Sequence, residues 1–494
     1  MEDFIREYSV SPNQYCREKE FTTTGFTSRN THIKHYYHRF RSNSSKGKKG
    51  TAILIHGYSS HTLGEYLNVV ENQKCSRIND NKYYYSSESG KEIENPLLKS
   101  KYITTYDGSY IEYFNNNGYD VISLDLEGHG FSKGKKCNTE NLDNNCYSII
   151  QMLEVEISKY KPNGKYYLDK YNVSVYNWNS KISEEKGSNG DKQYSIESDE
   201  KENLYNKGNL FEHKVDNNNS ISRKKGACIH CGSNECVFKS VFGDKLVVCG
   251  ISMGGATAFR LIELIGQMIE ENKQEYLKLI HCIKPRIICT ILLSPMLSLE
   301  SIKKKPLNRF LLMFLSIASY LFPDLQVGEK IKNPSCDYLS LFSKNDPLCY
   351  SKRVKALMCK SLLGFTDTIR KDINYYPADI PLLICHCIHD SLTDFEGSKR
   401  TIELLNDKFG DTQLESNTNP EFTLWPITSK KMWHALTREV GFQDLLLRIL
   451  DWVSKKEIQY EKRYKQINKI EKTPSTSQQI FISFKKNYFQ KLKK

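Results

Sequence analysis

Ser252 is flanked two positions away on either side by glycine, in Gly250-Ile251-Ser252-Met253-Gly254. This stretch follows directly on the apolar run Leu246-Val247-Val248-Cys249 and precedes a helix-forming stretch over residues 256–269. A strand, a tight turn and a helix with a hydroxyl at the apex lift that hydroxyl clear of its backbone, and small residues to either side leave room where the chain folds back. The chemistry such an apex serves is nucleophilic attack. A serine hydroxyl is a poor nucleophile at neutral pH, so it needs an imidazole to take its proton and a carboxylate to orient the imidazole. With the serine on a turn of this kind, the acid and then the histidine follow it along the chain. Of the 12 histidines, only His434 lies beyond the later acid candidates, in Lys431-Met432-Trp433-His434-Ala435-Leu436. Asp390 and Asp394 both follow the strand expected over residues 381–388. Asp390 is nearer the strand's carboxyl end and takes the orienting role, with Asp394 in reserve. Asp125 also ends a strand but precedes Ser252, and reads as a structural turn residue.

Attack on an acyl carbon builds negative charge on the carbonyl oxygen, which two preorganised donors must meet. The backbone N–H of Met253, next after the nucleophile, is one. The second is expected from the loop after the strand at 51–55, as the N–H of Tyr58. His56 and His61 stand upstream of the serine and are read as shaping that loop.

These groups need a scaffold that brings remote segments to one rim. Strands are expected at 51–55, 119–124, 246–249, 286–293, 381–388 and 422–425. Helices are expected between and after them at 108–116, 142–160, 256–269, 396–409 and 440–454. Such alternation implies an α/β fold, a mostly parallel sheet covered by helices on both faces, with ligands bound outside the carboxyl ends of the strands. The expected organisation is an N-terminal extension over 1–49 that would at most supply leading strands such as 35–39, then a first part of the core over 50–160. A low-complexity insertion over 161–244, rich in Asn, Lys, Ser, Glu and Gly and read as mostly disordered, follows. The core resumes with the serine turn over 245–295, a helical cap spans 296–375, the core closes with acid and histidine over 376–454, and a basic tail runs over 455–494. Residues 67–101 and the cap both leave strand ends and can rim the pocket.

Composition narrows the class. Hydrophobic residues make up 39% of 494, enough for a sizeable core. Much of the net charge of +13 belongs to the tail, where 12 Lys and Arg face three Glu. That run reads as a solvated extension or as weak adhesion to an anionic membrane surface; no stacking platform or finger array points to nucleic acid. The 15 cysteines fall partly in expected buried strands (Cys249, Cys289, Cys385, Cys387), and with no N-terminal signal peptide they read as reduced thiols. Cys228, Cys231 and Cys236 have a metal-like look but lack a second Cys/His pair nearby. No apolar run is long enough to span a bilayer; the longest, 310–322, is interrupted by Ser316, Ser319 and Tyr320. Phe310, Leu311, Leu312, Phe314, Leu315 and Ile317 form an apolar stripe on the expected cap helix, suited to admitting an acyl chain, touching a membrane, or simple burial. A cytoplasmic, possible peripheral membrane location is the expectation.

Taken together, His56-Gly57 with His61, Asp125 through Gly128-His129-Gly130 and Ser132, Gly250-Ile251-Ser252-Met253-Gly254-Gly255, Asp390 with Asp394, and Trp433-His434 resemble the monoglyceride lipase and lysophospholipase-like α/β-hydrolases, with a serine aminopeptidase S33-type domain. Gly108-Ser109-Tyr110-Ile111-Glu112 and Asn117-Gly118-Tyr119 are similar to the malaria-parasite lysophospholipase group. The resemblance covers the core from about residue 51 to residue 455 apart from the insertion. It departs from the usual pattern at Cys387, where a glycine is common, and at Ile251, where a histidine is common. It implies an α/β-hydrolase fold and a serine hydrolase that cuts a fatty-acyl ester of a monoacylglycerol or lysophospholipid through an acyl-enzyme, with Ser252, Asp390 and His434 as its triad and no cofactor. A peptidase or small-ester hydrolase would carry the same residues on the same scaffold, since pocket size is not legible here. A catalytically silent binding protein is the reading of another class.

Overall fold

Apolar, β-branched runs such as residues 246–251 and 287–293 are buried along their whole length, so the sheet they enter needs a layer of side chains on each face. The computed structural model describes the chain apart from residues 1–14, 17, 46, 72–84, 87–91, 94–100, 160–173, 179–236, 274–276, 305, 329–332, 411–418 and 471–494. Of the two units into which the chain divides, the one considered below is Met1–Ser180 with Val237–Lys494; Lys181–Cys236 lies outside the described residues.

In chain order the strands are β1 (Phe21–Thr27), β2 (Lys34–Phe40), β3 (Gly50–Ile55), β4 (Asn68–Glu71), β5 (Tyr85–Ser86), β6 (Glu92–Ile93), β7 (Tyr102–Thr105), β8 (Tyr119–Asp125), β9 (Ser174–Trp178), β10 (Lys245–Ile251), β11 (Ile287–Leu293), β12 (Leu382–Cys387) and β13 (Phe422–Ile427). Nine of them form one sheet in the order β13-β12-β11-β10-β3-β8-β2-β1-β9. The six from β13 to β8 run parallel, and β2, β1 and β9 continue the sheet in antiparallel pairing. Two short antiparallel ribbons, β4 with β7 and β5 with β6, occupy the polar segment after residue 67.

Period-two alternation distributes the core. Val247, Cys249 and Ile251 on β10, Cys289, Ile291 and Leu293 on β11, and Leu383 and Cys385 on β12 gather with Tyr110 and Phe114 of helix Tyr110–Asn116 and with Leu446 and Leu450 of helix Phe442–Ile470. The intervening residues are equally buried. Helices Asp143–Ser158 and Met253–Glu270 pack on one another, and the latter also packs on β10 and β11. The cap contributes helices Glu300–Lys303, Pro306–Leu321, Asp337–Asn345 and Ala356–Asp372.

Three stretches differ from the sequence-based expectation. Residues 21–40 are not an appendage: β1 and β2 extend the main sheet, and Phe21, Phe26, Tyr37 and Phe40 are buried. Threonine, tyrosine and histidine dominate these strands, so the segment reads as polar although several of its buried polar groups are paired: Thr23 Oγ1 lies 2.9 Å from His38 Nδ1, and Tyr37 donates its hydroxyl to Glu156 at 2.6 Å. Within the stretch expected to be mostly disordered, β9 pairs with β1 and a helix spans Val237–Phe242; most of the remainder lies outside the described residues. The closing helix runs on to Ile470, so the first part of the expected basic tail belongs to the fold. Lys456 is buried in an ion pair with Glu421, Tyr119 donates its hydroxyl to Glu457 at 2.6 Å, and Lys245 meets Glu461 at 2.7 Å. Among the described residues no helix is long and apolar enough to cross a membrane.

Register decides where the loops emerge. Gly250 sits beside both Ile55 and Leu292, Leu293 beside Cys385, and Cys387 beside Ile427. The carboxyl ends of five adjacent parallel strands are therefore level, and the segments that leave them carry His56 to His61, Ser252, Ser294, Asp390 and His434.

Candidate active site

Ser252 has φ 55° and ψ −121°, a left-handed conformation that a residue with a Cβ adopts only when its surroundings enforce it. Those surroundings are glycine backbones in contact. A Cβ on Gly250 would collide with Gly254 O, and one on Gly254 with the carbonyls of Ile55 and His56. The turn is tied down by Ser252 N, which donates to Leu293 O at 2.9 Å, and by Ser252 O, which accepts from Ala256 N and Met296 N at 3.0 Å each. Met253 opens the helix, so its N–H has no intrahelical acceptor. Gly57 lies against the serine: a Cβ there would stand 3.3 Å from Ser252 Cβ. The residues expected to supply the two oxyanion donors, Met253 and Tyr58, thus sit on the two segments that meet at the serine.

Of the two candidate acids, Asp390 is the one in contact with His434. Asp390 Oδ2 lies 2.6 Å from His434 Nδ1 and accepts the Thr393 hydroxyl at 2.8 Å; Oδ1 accepts the N–H groups of Leu392 and Thr393 at 2.8 and 3.1 Å. Burial by itself would raise the Asp390 pKa, but the His434 charge and the hydrogen bonds from His386 and His434 outweigh it and hold the carboxyl well below its usual range. Asp394 is spent elsewhere, at the start of helix Phe395–Phe409, where it accepts the Ser298 hydroxyl at 3.3 Å. For His434 burial works downward, yet the charge and hydrogen bond of Asp390, then Glu439 and Glu65, raise its pKa above the ordinary imidazole value.

With Nδ1 committed to Asp390, Nε2 is the ring nitrogen left for a further partner. Among the described residues Ser252 Oγ makes no hydrogen bond, to His434 or to any other group. Ser252 follows β10 and Asp390 follows β12, two strand spacings away, about 10 Å. An imidazole standing on the carboxylate spans most of that distance, and such contacts commonly close only when substrate is bound. Glu65 borders both residues: it is one of the charges acting on His434, and its Oε2 lies 3.9 Å from the Cβ position of Gly57, beside Ser252.

Several members of the site have no sequence signature. Glu439 accepts the backbone N–H of Trp433 at 2.6 Å and of His434 at 3.1 Å, and the Asn333 amide at 2.6 Å, fixing the histidine loop. Glu65, also buried, accepts the Thr437 hydroxyl at 2.6 Å and pairs with Arg438 at 3.2 Å. His61 Nε2 lies 2.8 Å from Asp346 Oδ2, Tyr15 donates its hydroxyl to Asp346 Oδ1 at 2.6 Å, and Tyr350 N donates to Ser59 O at 2.9 Å. The chain around 346–350 therefore clamps the loop that carries Tyr58. His56 accepts from Leu126 N at 3.0 Å and lies 2.8 Å from Gly57 O through its other nitrogen. Asp125 accepts from the backbones of Thr62 and Phe131, each at 2.9 Å, as a turn residue would.

Among the described residues the grouping with metal-ligand chemistry is His61, Asp346 and Cys349, whose donor atoms lie within 4.8 Å of one another. Hydrogen bonds account for it, and burial followed by the Asp346 charge pushes the Cys349 thiol well up, so it stays protonated. Cys228, Cys231 and Cys236 lie outside the described residues.

A strained serine between strand and helix, on a mostly parallel sheet with a helical cap inserted between its strands and an acid and histidine after the later ones, gives this chain the α/β-hydrolase fold. Residues 238–417, less than half of the chain, match the profile of the family described as Serine aminopeptidase, S33. Among solved structures the chain is similar to a monoacylglycerol lipase from Paleococcus ferrophilus (15% identity, covering 85% of this chain and 99% of that one, TM-score 0.44). It is also similar to a soluble variant of monoglyceride lipase from Saccharomyces cerevisiae (12%, 86% and 92%, TM-score 0.44) and to a thermostable carboxyl esterase from Bacillus coagulans (12%, 88% and 98%, TM-score 0.45). No curated protein matches.

Proposed function

We propose that the protein is a serine hydrolase that cleaves a fatty-acyl ester of a monoacylglycerol or lysophospholipid through an acyl-enzyme. The observation that carries the reading is the 2.6 Å contact of His434 Nδ1 with Asp390, on the same rim as a serine held at positive φ. In this reading Ser252 Oγ attacks the ester carbon as His434 Nε2 takes its proton. The carbonyl oxygen becomes an oxyanion held by the N–H groups of Met253 and Tyr58, and the protonated imidazole then passes its proton to the departing alcohol. Water repeats the sequence on the acyl-enzyme and releases the fatty acid. The test is a comparison of kcat/KM for monooleoylglycerol, oleoyl lysophosphatidylcholine, p-nitrophenyl acetate and an aminoacyl naphthylamide. One of the two long-chain esters is expected to lead; a lead by the naphthylamide would favour the peptidase that the S33 description suggests, and one by the acetate a small-ester hydrolase.

The cap supports a substrate taken from a lipid surface. On helix Pro306–Leu321, Leu315 is buried and Leu312 half-buried, whereas Met313, Ile317, Tyr320 and Leu321 are exposed, Tyr320 at 85%. Those four share one helix face. The apolar surface continues through exposed Phe322 and Leu325, and the segment that follows pairs with 354–355, next to exposed Lys352 and Arg353. The stripe read from the sequence is thus split between the interior and solvent. We assign the outer half to peripheral contact with an anionic membrane. Ile317→Glu with Leu321→Glu is expected to lower co-sedimentation with phosphatidylcholine vesicles containing phosphatidylserine by at least about tenfold, since two apolar side chains are lost from the surface, while hydrolysis of a soluble ester is retained. Equal sedimentation of variant and wild type would refute the assignment.

A further inference from the structure

We propose that His386 is a positioning residue for the triad acid, a second buried imidazole that donates toward Asp390 and holds its carboxylate in one rotamer beneath His434. The inference rests on the reading of Asp390 and His434 given above. His386 is the penultimate residue of β12, fully buried, with its Nδ1 2.7 Å from Ser398 Oγ and its Nε2 3.2 Å from Thr393 Oγ1 and 3.4 Å from Asp390 Oδ2. Thr393 Oγ1 in turn lies 2.8 Å from Asp390 Oδ2.

The network assigns the protons. An ionised carboxylate only accepts, and at 2.8 Å it lies closer to Thr393 Oγ1 than the Ser294 carbonyl at 3.2 Å, so the Thr393 hydroxyl donates to Asp390 and turns a lone pair toward His386. A bare Nε2 there would face oxygen lone pairs on both sides; a protonated Nε2 meets two acceptors. The Ser398 hydroxyl, from helix Phe395–Phe409, then donates to Nδ1 and fixes the tautomer. Asp390 Oδ2 is thereby shared between His386, Thr393 and His434, while Oδ1 takes two backbone N–H groups. The arrangement does for the acid what the acid does for the catalytic imidazole.

The charged and titratable groups around this relay are few. Asp390 faces His386 and His434 and lies near the Cys387 thiol, which donates to Met432 O at 3.0 Å and is held above its ordinary pKa by burial and then by the Asp390 charge; His434 also faces Glu439 and Glu65, the latter paired with Arg438. His386 is otherwise surrounded by Ser398, Thr393 and the edge of Phe395, with ring centroids 5.7 Å apart, none of which titrates.

His386→Leu removes the donor and keeps comparable volume, His386→Gln retains an N–H at the end of the side chain, and Ser398→Ala releases the tautomer. With p-nitrophenyl butyrate, His386→Leu is expected to lower kcat about 10- to 100-fold, by analogy with the loss of a hydrogen-bond partner behind a metal-ligating side chain, with KM nearly unchanged. The same variant is expected to move the acidic limb of kcat/KM to higher pH, because an Asp390 charge spread over fewer donors holds the His434 proton more tightly. His386→Gln should recover most of the rate and restore the limb, and Ser398→Ala should shift it in the same direction by less. The independent readout is the ring titration of His434 followed by NMR of 15N-histidine-labelled protein, which does not require turnover. An unmoved His434 titration in His386→Leu, or in Ser398→Ala should the former not fold, overturns the proposal. So does a loss of rate that His386→Gln shares in full. If fluorophosphonate fails to label Ser252 while the His434 titration shifts as described, the hydrolase reading falls and the coupling of His386 to Asp390 stands.

Discussion

Ser252→Ala is expected to abolish labelling by a fluorophosphonate and to lower kcat on a soluble ester by about 10⁴- to 10⁶-fold, the range seen when the nucleophile of such a triad is removed. The substitution takes away only Oγ. The elbow geometry, the Met253 and Tyr58 amides and the His434–Asp390 pair are left in place, so whatever rate remains measures the oxyanion donors and binding alone. The strain at φ 55° is kept by alanine, which also has a Cβ, whereas Ser252→Gly relieves it and should raise stability by about 1 kcal/mol while losing as much activity. Chemical denaturation beside probe labelling checks both statements. Wild-type labelling at a residue other than Ser252 would remove the nucleophile from the mechanism.

Asp390→Asn should lower kcat by about 10⁴-fold with little change in the fold, as the amide can present its NH₂ to His434 Nδ1 and impose the wrong tautomer. A second effect runs along the pH axis. His434 acts as a base only when neutral, and in the wild type its pKa stands above the ordinary imidazole value because Asp390 favours the charged ring. Activity is therefore present above that raised pKa and lost as pH falls through it. Removing the Asp390 charge lowers the His434 pKa, so the residual activity of Asp390→Asn should extend to lower pH than that of the wild type. This shift is opposite in sign to the one expected for His386→Leu, where the carboxylate remains and loses a competitor for its charge. A pH profile of kcat/KM for both variants separates an acid that orients and charges the base from one that merely fills space. Parallel displacement of both limbs would contradict the arrangement.

Local patterns carried a large part of this protein. A buried strand, a glycine-flanked serine and a helix are written within residues 245–270, so the elbow was legible, and the strained φ at Ser252 follows from the glycines around it. The order of strands and helices after it, and the position of His434 as the one histidine beyond both acid candidates, were legible for the same reason: each depends on neighbours in the chain.

Partners that meet only through folding were not. Asp390 and Asp394 are four residues apart on one loop, and only the 2.6 Å approach of His434 to the first and the use of the second by Ser298 decide between them. Glu65, Glu439 and His386 sit in stretches whose composition resembles any turn or strand end, and become site residues because remote segments bring donors to them. Residues 21–40 look too polar for a core until Thr23 meets His38 and Tyr37 and Arg39 meet Glu156, and residues 455–463 look like a solvated basic run until Lys456 and Glu457 meet Glu421 and Tyr119. Periodicity and turn chemistry are properties of adjacent residues, so the sequence by itself determined the elements and the glycine-flanked serine turn. The neutralising partner of a buried polar or charged group lies far along the chain, and only the tertiary structure decided which groups stand together at the rim of the sheet.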